Sequence, residues 1–418
     1  MNALKLKETL LLVFKWGLIC ALLGFMSGSA SAFLLVSLEW AATIRENHLW
    51  IIAFLPLGGL FIGLSYHYYG AVAVKGNNLL LQEYQTPSTK IPLIMAPLVL
   101  LGTIITHLFG GSAGREGTAV QMGGAIADQF TSWFKLNQTD RKSIIILGIS
   151  AGFASVFGTP LAGAIFALEV VYFSKISIQS AILALVVAYF AHFTVAFWQV
   201  EHTHYGISSV PDWSLKTLLC VLIVSILFGL AAMLFARSTH YWGALFAKKI
   251  TYAPLRPMVG GILIAITLYG IGTTKYIGLG VPSIVDSFIT PSNYYDFLLK
   301  IIFTGFTLGA GFKGGEVTPL FFIGATLGSS LSIVFPLPIA LLAGMGFVAV
   351  FSGATHTPIA CTVMGIELFG LQSGLYIGIA CLVAYLASGS VGIYQAQIVK
   401  GAKYHLYKKI KIRKPNLF

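Results

Sequence analysis

The sequence predicts an all-α polytopic membrane protein made of two repeated halves, with helices broken by glycine and proline. Three observations carry this. Of 418 residues, 57% are hydrophobic and only 10% charged, with a mean hydropathy of +0.85; a soluble domain carries about 25% charged residues. Forty-five glycines suit close helix crossings and interrupted helices. Finally, two motifs recur in the same order. GREGTAVQMGGA (114–125) matches GGEVTPLFFIGA (314–325) at an offset of 200, and PLAGAIFALE (160–169) matches PIACTVMGIE (358–367) at an offset of 198.

At roughly 20 apolar residues per span, the chain has room for ten or more membrane segments. Apolar runs at 10–38 and 50–68 read as two spans. A polar interruption follows, in which Gly76-Asn77-Asn78-Leu79 reads as a solvated turn. Residues 93–109 are apolar, and residues 137–142 form a polar loop. Residues 143–173 hold two short helices broken at Gly158-Thr159-Pro160, and 178–199 is apolar again. The polar stretch 201–214, with Pro211, separates a first repeat (1–200) from a second (215–395). The second begins with an apolar run at 217–236, followed by a basic loop with Lys248, Lys249 and Arg256. Apolar runs at 259–275 and 298–310 lead to the second GGE motif, and four more continue to 389.

Lys5 and Lys7 precede the first span, and the tail 396–418 carries Lys403, Lys408, Lys409, Lys411, Arg413 and Lys414. Positive residues stay inside, so both termini are expected in the cytoplasm, with the tail anchored at anionic lipid headgroups rather than on nucleic acid. The first apolar run is too long for a cleavable signal peptide. Cys20, Cys220, Cys361 and Cys381 lie in apolar runs without a CxxC and read as small core residues. GFKGG lacks the spacing of a phosphate loop, and no metal-ligand cluster occurs. Neither an enzyme nor a resident cofactor is indicated.

Four of the nine glutamates, Glu116, Glu169, Glu316 and Glu367, lie in the apolar repeat segments as two related pairs. Charge at membrane depth is costly and faces a cavity or pathway. Gly114-Arg115-Glu116-Gly117-Thr118 opens a proline-free run, which places Glu116 at a helix N-terminus. Such an end offers unpaired N–H donors and partial positive charge, so it attracts anions, and a carboxylate there takes an anion's place. The plainer reading is a buried Arg–Glu pair at a tight turn.

These motifs together resemble the CLC superfamily of anion channels and anion/proton antiporters. GREGTAVQ is similar to the family's GREGP motif, GGEVTP sits where the family has GGxFxP, and FGTPLAGAIFALE resembles the segment that follows. Tyr394, in SVGIYQ, sits at the family's anion-coordinating tyrosine. The resemblance implies the CLC fold, with two inverted-topology repeats containing broken and re-entrant helices, in a homodimer with one pathway per subunit. It makes Glu116 the gating glutamate and Gly114, Arg115, Gly117, Val317 and Tyr394 part of the anion site. The departures resemble the fluoride/proton antiporter branch, CLC-F. Asn77 replaces the serine of GSGIP, Thr118 replaces the proline of GREGP, and Val317 replaces the phenylalanine of GGxFxP, flanked by Glu316 and Thr318. Val170 stands where coupled chloride exchangers carry an internal glutamate. The resemblance therefore implies fluoride export against protons across the bacterial inner membrane; a chloride channel or chloride/proton exchanger is the alternative.

The chemistry agrees. Fluoride is strongly hydrated, so replacing its water shell takes good donors, and an amide offers two N–H groups where serine offers one O–H. Thr118 and Thr318 add hydroxyls and Tyr394 a phenol. With Val170 unable to hold a proton, Glu316 becomes the second ionisable group beside Glu116; its alternative role is a helix cap. Glu169 and Glu367 read as structural, bonded to helix-end N–H groups. Lys313 reads equally as a mouth residue attracting anions and as a solvated loop lysine. His107 and His356 are relay candidates or satisfied core histidines, and Tyr394 has interfacial packing as its plainer role.

Overall fold

Apolar sequence interrupted by Gly, Pro and capping residues folds here into helices of very unequal length. The computed structural model describes residues 3–171, 177–398 and 403. Its first half contains α1 (Ala3–Asn47), α2 (Leu55–Tyr69), α3 (Asn77–Gln85) and α4 (Met95–Leu108), then α5 (Glu116–Trp133), α6 (Gln138–Phe157), α7 (Pro160–Val170) and α8 (Ile178–Phe197). The second contains α9 (Leu215–Lys249), α10 (Leu255–Ile271), α11 (Val281–Asp286) and α12 (Asp296–Gly309), then α13 (Val317–Leu331), α14 (Ile339–Thr355), α15 (Pro358–Phe369) and α16 (Gly374–Ala387). Among the described residues, four helical segments are long and apolar enough to cross a membrane: 7–47, 49–69, 178–197 and 215–249. Seven further apolar helices among the described residues are shorter, at 10–17 residues, as the frequent breaks require.

The packing repeats with the sequence. α5 lies on α6 as α13 lies on α14, α1 on α8 as α9 on α16, and α6 on α7 as α14 on α15. Across the repeat, α2 packs on α10 and α7 on α15. Glycine makes the central crossings close: a Cβ on Gly324 would lie 1.9 Å from the Gly346 carbonyl oxygen, and one on Gly123 would lie 2.3 Å from that of Gly148. Prolines begin α7 and α15 at their first turns, where a missing N–H costs nothing. The helices before them end alike, on left-handed residues at Gly158 (φ 71°) and His356 (φ 56°).

Several sequence expectations are corrected. The first span does not stop near 38; α1 continues to Asn47 and buries Arg45, whose Nη1 donates to the His107 carbonyl at 2.6 Å. Asn77 and Asn78 are not a solvated turn but open α3. The 137–142 stretch is no loop either. The Asn137 side chain caps α6 through the Asp140 N–H at 2.8 Å, and Arg141 inserts between Asp128 and Glu83. Lys248 and Lys249 form the last turn of α9 rather than a loop. The four cysteines are free. Of the basic tail, 399–402 and 404–418 lie outside the described residues. Lys403 is buried rather than held at headgroups: its Nζ donates to the Ser388 hydroxyl at 2.9 Å and stands 4.2 Å from the Tyr385 ring centroid.

Candidate functional site

Two backbone loops, one from each half, meet at the centre of the protein. Gly114 and Gly315 form an isolated antiparallel bridge, each N–H donating to the other's carbonyl at 2.6 and 2.7 Å. Only glycine permits this approach. A Cβ on Gly315 would lie 2.6 Å from the Gly117 nitrogen, and Gly314, at φ 151°, would press one against the Ala113 Cβ at 2.5 Å. Directly after the bridge the chain enters α5 on one side and α13 on the other. The two charged motifs therefore deliver two helix N-termini to one place.

Glu116 begins α5, yet its carboxylate serves α13. Oε2 accepts from the Thr318 N–H at 3.0 Å and Oε1 from the Thr318 hydroxyl at 2.5 Å. The Arg115 N–H also donates to Oε2, at 3.2 Å, and Arg115 Nε lies 3.7 Å from Oε1. The side chain is 1% exposed. A carboxylate of the first half thus occupies the donors at the positive end of a helix from the second. The ion pair with Arg115 exists, but the shorter contacts belong to Thr318.

Glu316 is the N-cap residue of α13, and its side chain makes no cap bond. It lines a cavity of about 730 Å³ with Lys75, Asn78, Gln82, His240 and Gln395. Glu116 instead lines a constriction of about 20 Å³ with Arg115, His202, Thr203, Tyr205 and Thr318. That volume accommodates about one water. The related glutamates thus stand beside one crossing but face two different cavities.

Asn77 and Tyr394 are brought together as well. The Asn77 Nδ2 and a Glu316 carboxylate oxygen converge on Gly117, 3.1 and 3.4 Å from the point where a Cβ would sit. The Asn77 Oδ1 is buried without a hydrogen-bond partner among the described residues. Asn77, Val170 and Tyr394 line one small cavity. α3 holds the Tyr394 segment, since Asn78 accepts from the Ala396 N–H at 2.9 Å and Gln85 donates to the Ala396 carbonyl at 2.7 Å. Val317 is buried in the first turn of α13.

Thr118 departs from expectation. Its hydroxyl lies 2.7 Å from that of Thr103, and Thr103 already donates its proton to the Val99 carbonyl at 2.6 Å. Thr118 must therefore be the donor between the two, which leaves its hydroxyl no proton for an anion. Only its backbone amide remains. Thr103 sits in a uniform apolar run, so nothing in the sequence marked it.

The second repeat pair of glutamates holds helix starts. The Glu169 carboxylate accepts from the Ile359 and Ala360 N–H groups, and Glu367 from those of Leu161 and Ala162. Each helix, α7 and α15, thus caps the other's start with its own terminal glutamate. His107 places its ring nitrogens 2.8 Å from the Thr103 carbonyl and 3.0 Å from that of Ala113, bracing the loop before Gly114. His356 is buried with neither nitrogen partnered among the described residues. His202 and Tyr205, read only as part of a separating stretch, wall the Glu116 constriction.

Comparison with known proteins bears on the family and the fold. The family described as voltage gated chloride channel matches residues 58–389. A chloride/fluoride channel protein of Pseudomonas syringae pv. tomato is 50% identical over 399 residues, 94% of this chain and 88% of the relative. The crystal structure of a CLC-type fluoride/proton antiporter superposes with a TM-score of 0.89 at 34% identity, covering 96% of this chain and 100% of that one. A slow cyanobacterial Cl−/H+ antiporter shares the fold, with a TM-score of 0.78 at 20% identity over 96% and 99% of the two chains. The chain belongs to the voltage gated chloride channel (CLC) family.

Proposed function

We propose that this protein is a secondary active transporter that exports fluoride in exchange for protons. The observation that carries the proposal is the buried Glu116 carboxylate on the first-turn donors of α13, across the glycine bridge from Asn77 and Glu316. The names of the Pseudomonas relative and of the antiporter at 34% identity support fluoride as the ion.

Charged Glu116 fills the Thr318 N–H and O–H, the donors an anion needs. Protonation removes the charge that holds it there, and the neutral carboxyl leaves. Fluoride then takes the same donors, and the Asn77 amide replaces part of its water shell. When Glu116 releases its proton it returns to α13 and displaces the anion. Glu316 is the second proton carrier, receiving from the bridge and releasing into the wide cavity. Each cycle thus carries protons one way and fluoride the other, with no free path for either. Tyr394, Gly117, Val317 and the backbone of Thr118 complete the anion's surroundings.

Both termini face the cytoplasm in this reading, so the Glu316 cavity opens inward and the Glu116 constriction outward. The working unit is a homodimer in the cell's inner membrane. Each chain has halves 1–200 and 215–395, a 201–214 linker and a basic tail at 396–418. Purified protein in liposomes loaded with equal fluoride or chloride tests the ion: fluoride efflux outpaces chloride efflux. Chloride efflux equal to or faster than fluoride would transfer the protein to the chloride-exchange reading.

A further inference from the structure

A third cavity, of about 420 Å³, lies beside the Glu316 cavity and shares Val74, Gly243 and Gly309 with it. Its walls are the last turns of α2, the start of α10 and the Gly309–Gly311 turn that follows α12, with Lys313 among them. Lys313, His67 and Arg256 line it, and no carboxylate is among its described lining residues. Two groups on its walls have no direct hydrogen-bond or ion-pair partner among the described residues. The Tyr66 hydroxyl is buried with no hydrogen-bond partner among the described residues, on a residue 5% exposed. The Lys313 ammonium stands 4.1 Å from the Tyr66 ring centroid and forms no ion pair among the described residues, although the charge of Glu316, in the adjoining cavity, reaches it.

A cation on an aromatic face recovers part of its lost hydration, but a half-buried ammonium without an ion pair still favours an anion. The O–H of that same ring, itself without an acceptor among the described residues, supplies the second donor. The sequence makes room for this arrangement. Gly102 on α4 lies against the Lys313 stem, and a Cβ there would stand 2.9 Å from the Lys313 Cβ. Arg256 is fixed nearby, its Nε donating to the Ile250 carbonyl at 2.9 Å.

We propose that this cavity is a second anion site, in which the Lys313 ammonium and the Tyr66 hydroxyl hold a small, hard anion such as fluoride before it passes to the Glu316 cavity. The proposal rests on the fluoride exchange argued above. It gives Lys313 a binding role outside the glycine bridge and explains why a positive, carboxylate-free chamber adjoins the Glu316 side.

The test separates binding from transport. Purified full-length protein is acetylated slowly in sodium fluoride or in sodium gluconate at equal ionic strength, and modification of Lys313 is followed by mass spectrometry. Fluoride at twice its dissociation constant slows Lys313 modification roughly threefold, and Tyr66→Phe removes most of the protection. Lys248, exposed at the end of α9, serves as the internal reference. Equal Lys313 rates in the two salts would overturn the proposal. In liposomes, Lys313→Met raises the half-saturating fluoride concentration about tenfold, a change of about 1.4 kcal/mol, and moves the saturated rate far less, while Lys313→Arg restores most of the affinity. An unchanged half-saturation in Lys313→Met, or an equal defect in Lys313→Arg, would also overturn it. If wild-type liposomes move no fluoride, the exchange reading falls and the acetylation assay alone decides the site.

Discussion

Thr318→Val tests how Glu116 is held. Valine keeps the branched shape of threonine and the Thr318 backbone N–H, and removes only the hydroxyl that donates to Oε1 at 2.5 Å. A hydrogen bond to a charged group contributes about 1.5–3 kcal/mol when buried, and Glu116 is 1% exposed. At about 1.4 kcal/mol per tenfold, the docked carboxylate loses between about tenfold and about a hundredfold in population relative to the undocked one. The donors of α13 then stand open without protonation, so fluoride passes without its proton. Fluoride efflux and proton uptake, measured together in one liposome preparation, report this as a fall in protons moved per fluoride. The protein stays folded, because the Thr318 N–H contact at 3.0 Å remains. An unchanged proton-to-fluoride ratio in a folded Thr318→Val protein would refute the idea that this contact holds the gate closed.

Asn77→Ser weakens the preference for fluoride over chloride by about 0.5–1.5 kcal/mol, read from paired anion effluxes, because one amide donor is replaced by a single hydroxyl. Glu316→Gln impairs fluoride transport or its coupling with little change in melting temperature. Glu169→Gln does the reverse, since its NH2 meets the Ile359 or Ala360 N–H that the carboxylate now accepts; wild-type coupling in Glu316→Gln would end its proton role. Arg141→Met strips Asp128, 0% exposed, of contacts at 2.7 and 2.8 Å and lowers stability by about 3–5 kcal/mol, which a denaturation midpoint checks directly.

How much of this was legible depends on the range of the interaction. Composition marked the membrane class, and the paired motifs marked the repeat, because both are properties of the chain itself. The start of α5 at Glu116 was legible for the same reason, because local spacing places it there, and Glu169 and Glu367 read as bonded to helix-end N–H groups, though not to which helix. What crosses between the halves was not. Nothing within GREGT says that Glu116 reaches past its own helix to Thr318, some 200 positions away. Thr103, which takes the hydroxyl of Thr118, is one small polar residue in an apolar run. The 201–214 stretch looked like a boundary because it is polar, yet Tyr205 packs on Phe347 with ring centroids 5.2 Å apart and walls the Glu116 constriction. Arg141 lies in a stretch that reads as a loop because charge near a turn is usually solvated, whereas here Asp128 and Glu83 compensate it inside.

The central claim is that protons and fluoride share one carboxylate. The most direct measurement imposes a fluoride gradient on liposomes without a pH gradient and follows the interior pH. Wild-type protein takes up protons against no pH gradient as fluoride flows out, and Glu116→Gln takes up none, because glutamine can neither carry charge on the α13 donors nor bind and release a proton. Fluoride-driven proton uptake that persists in Glu116→Gln would contradict the account.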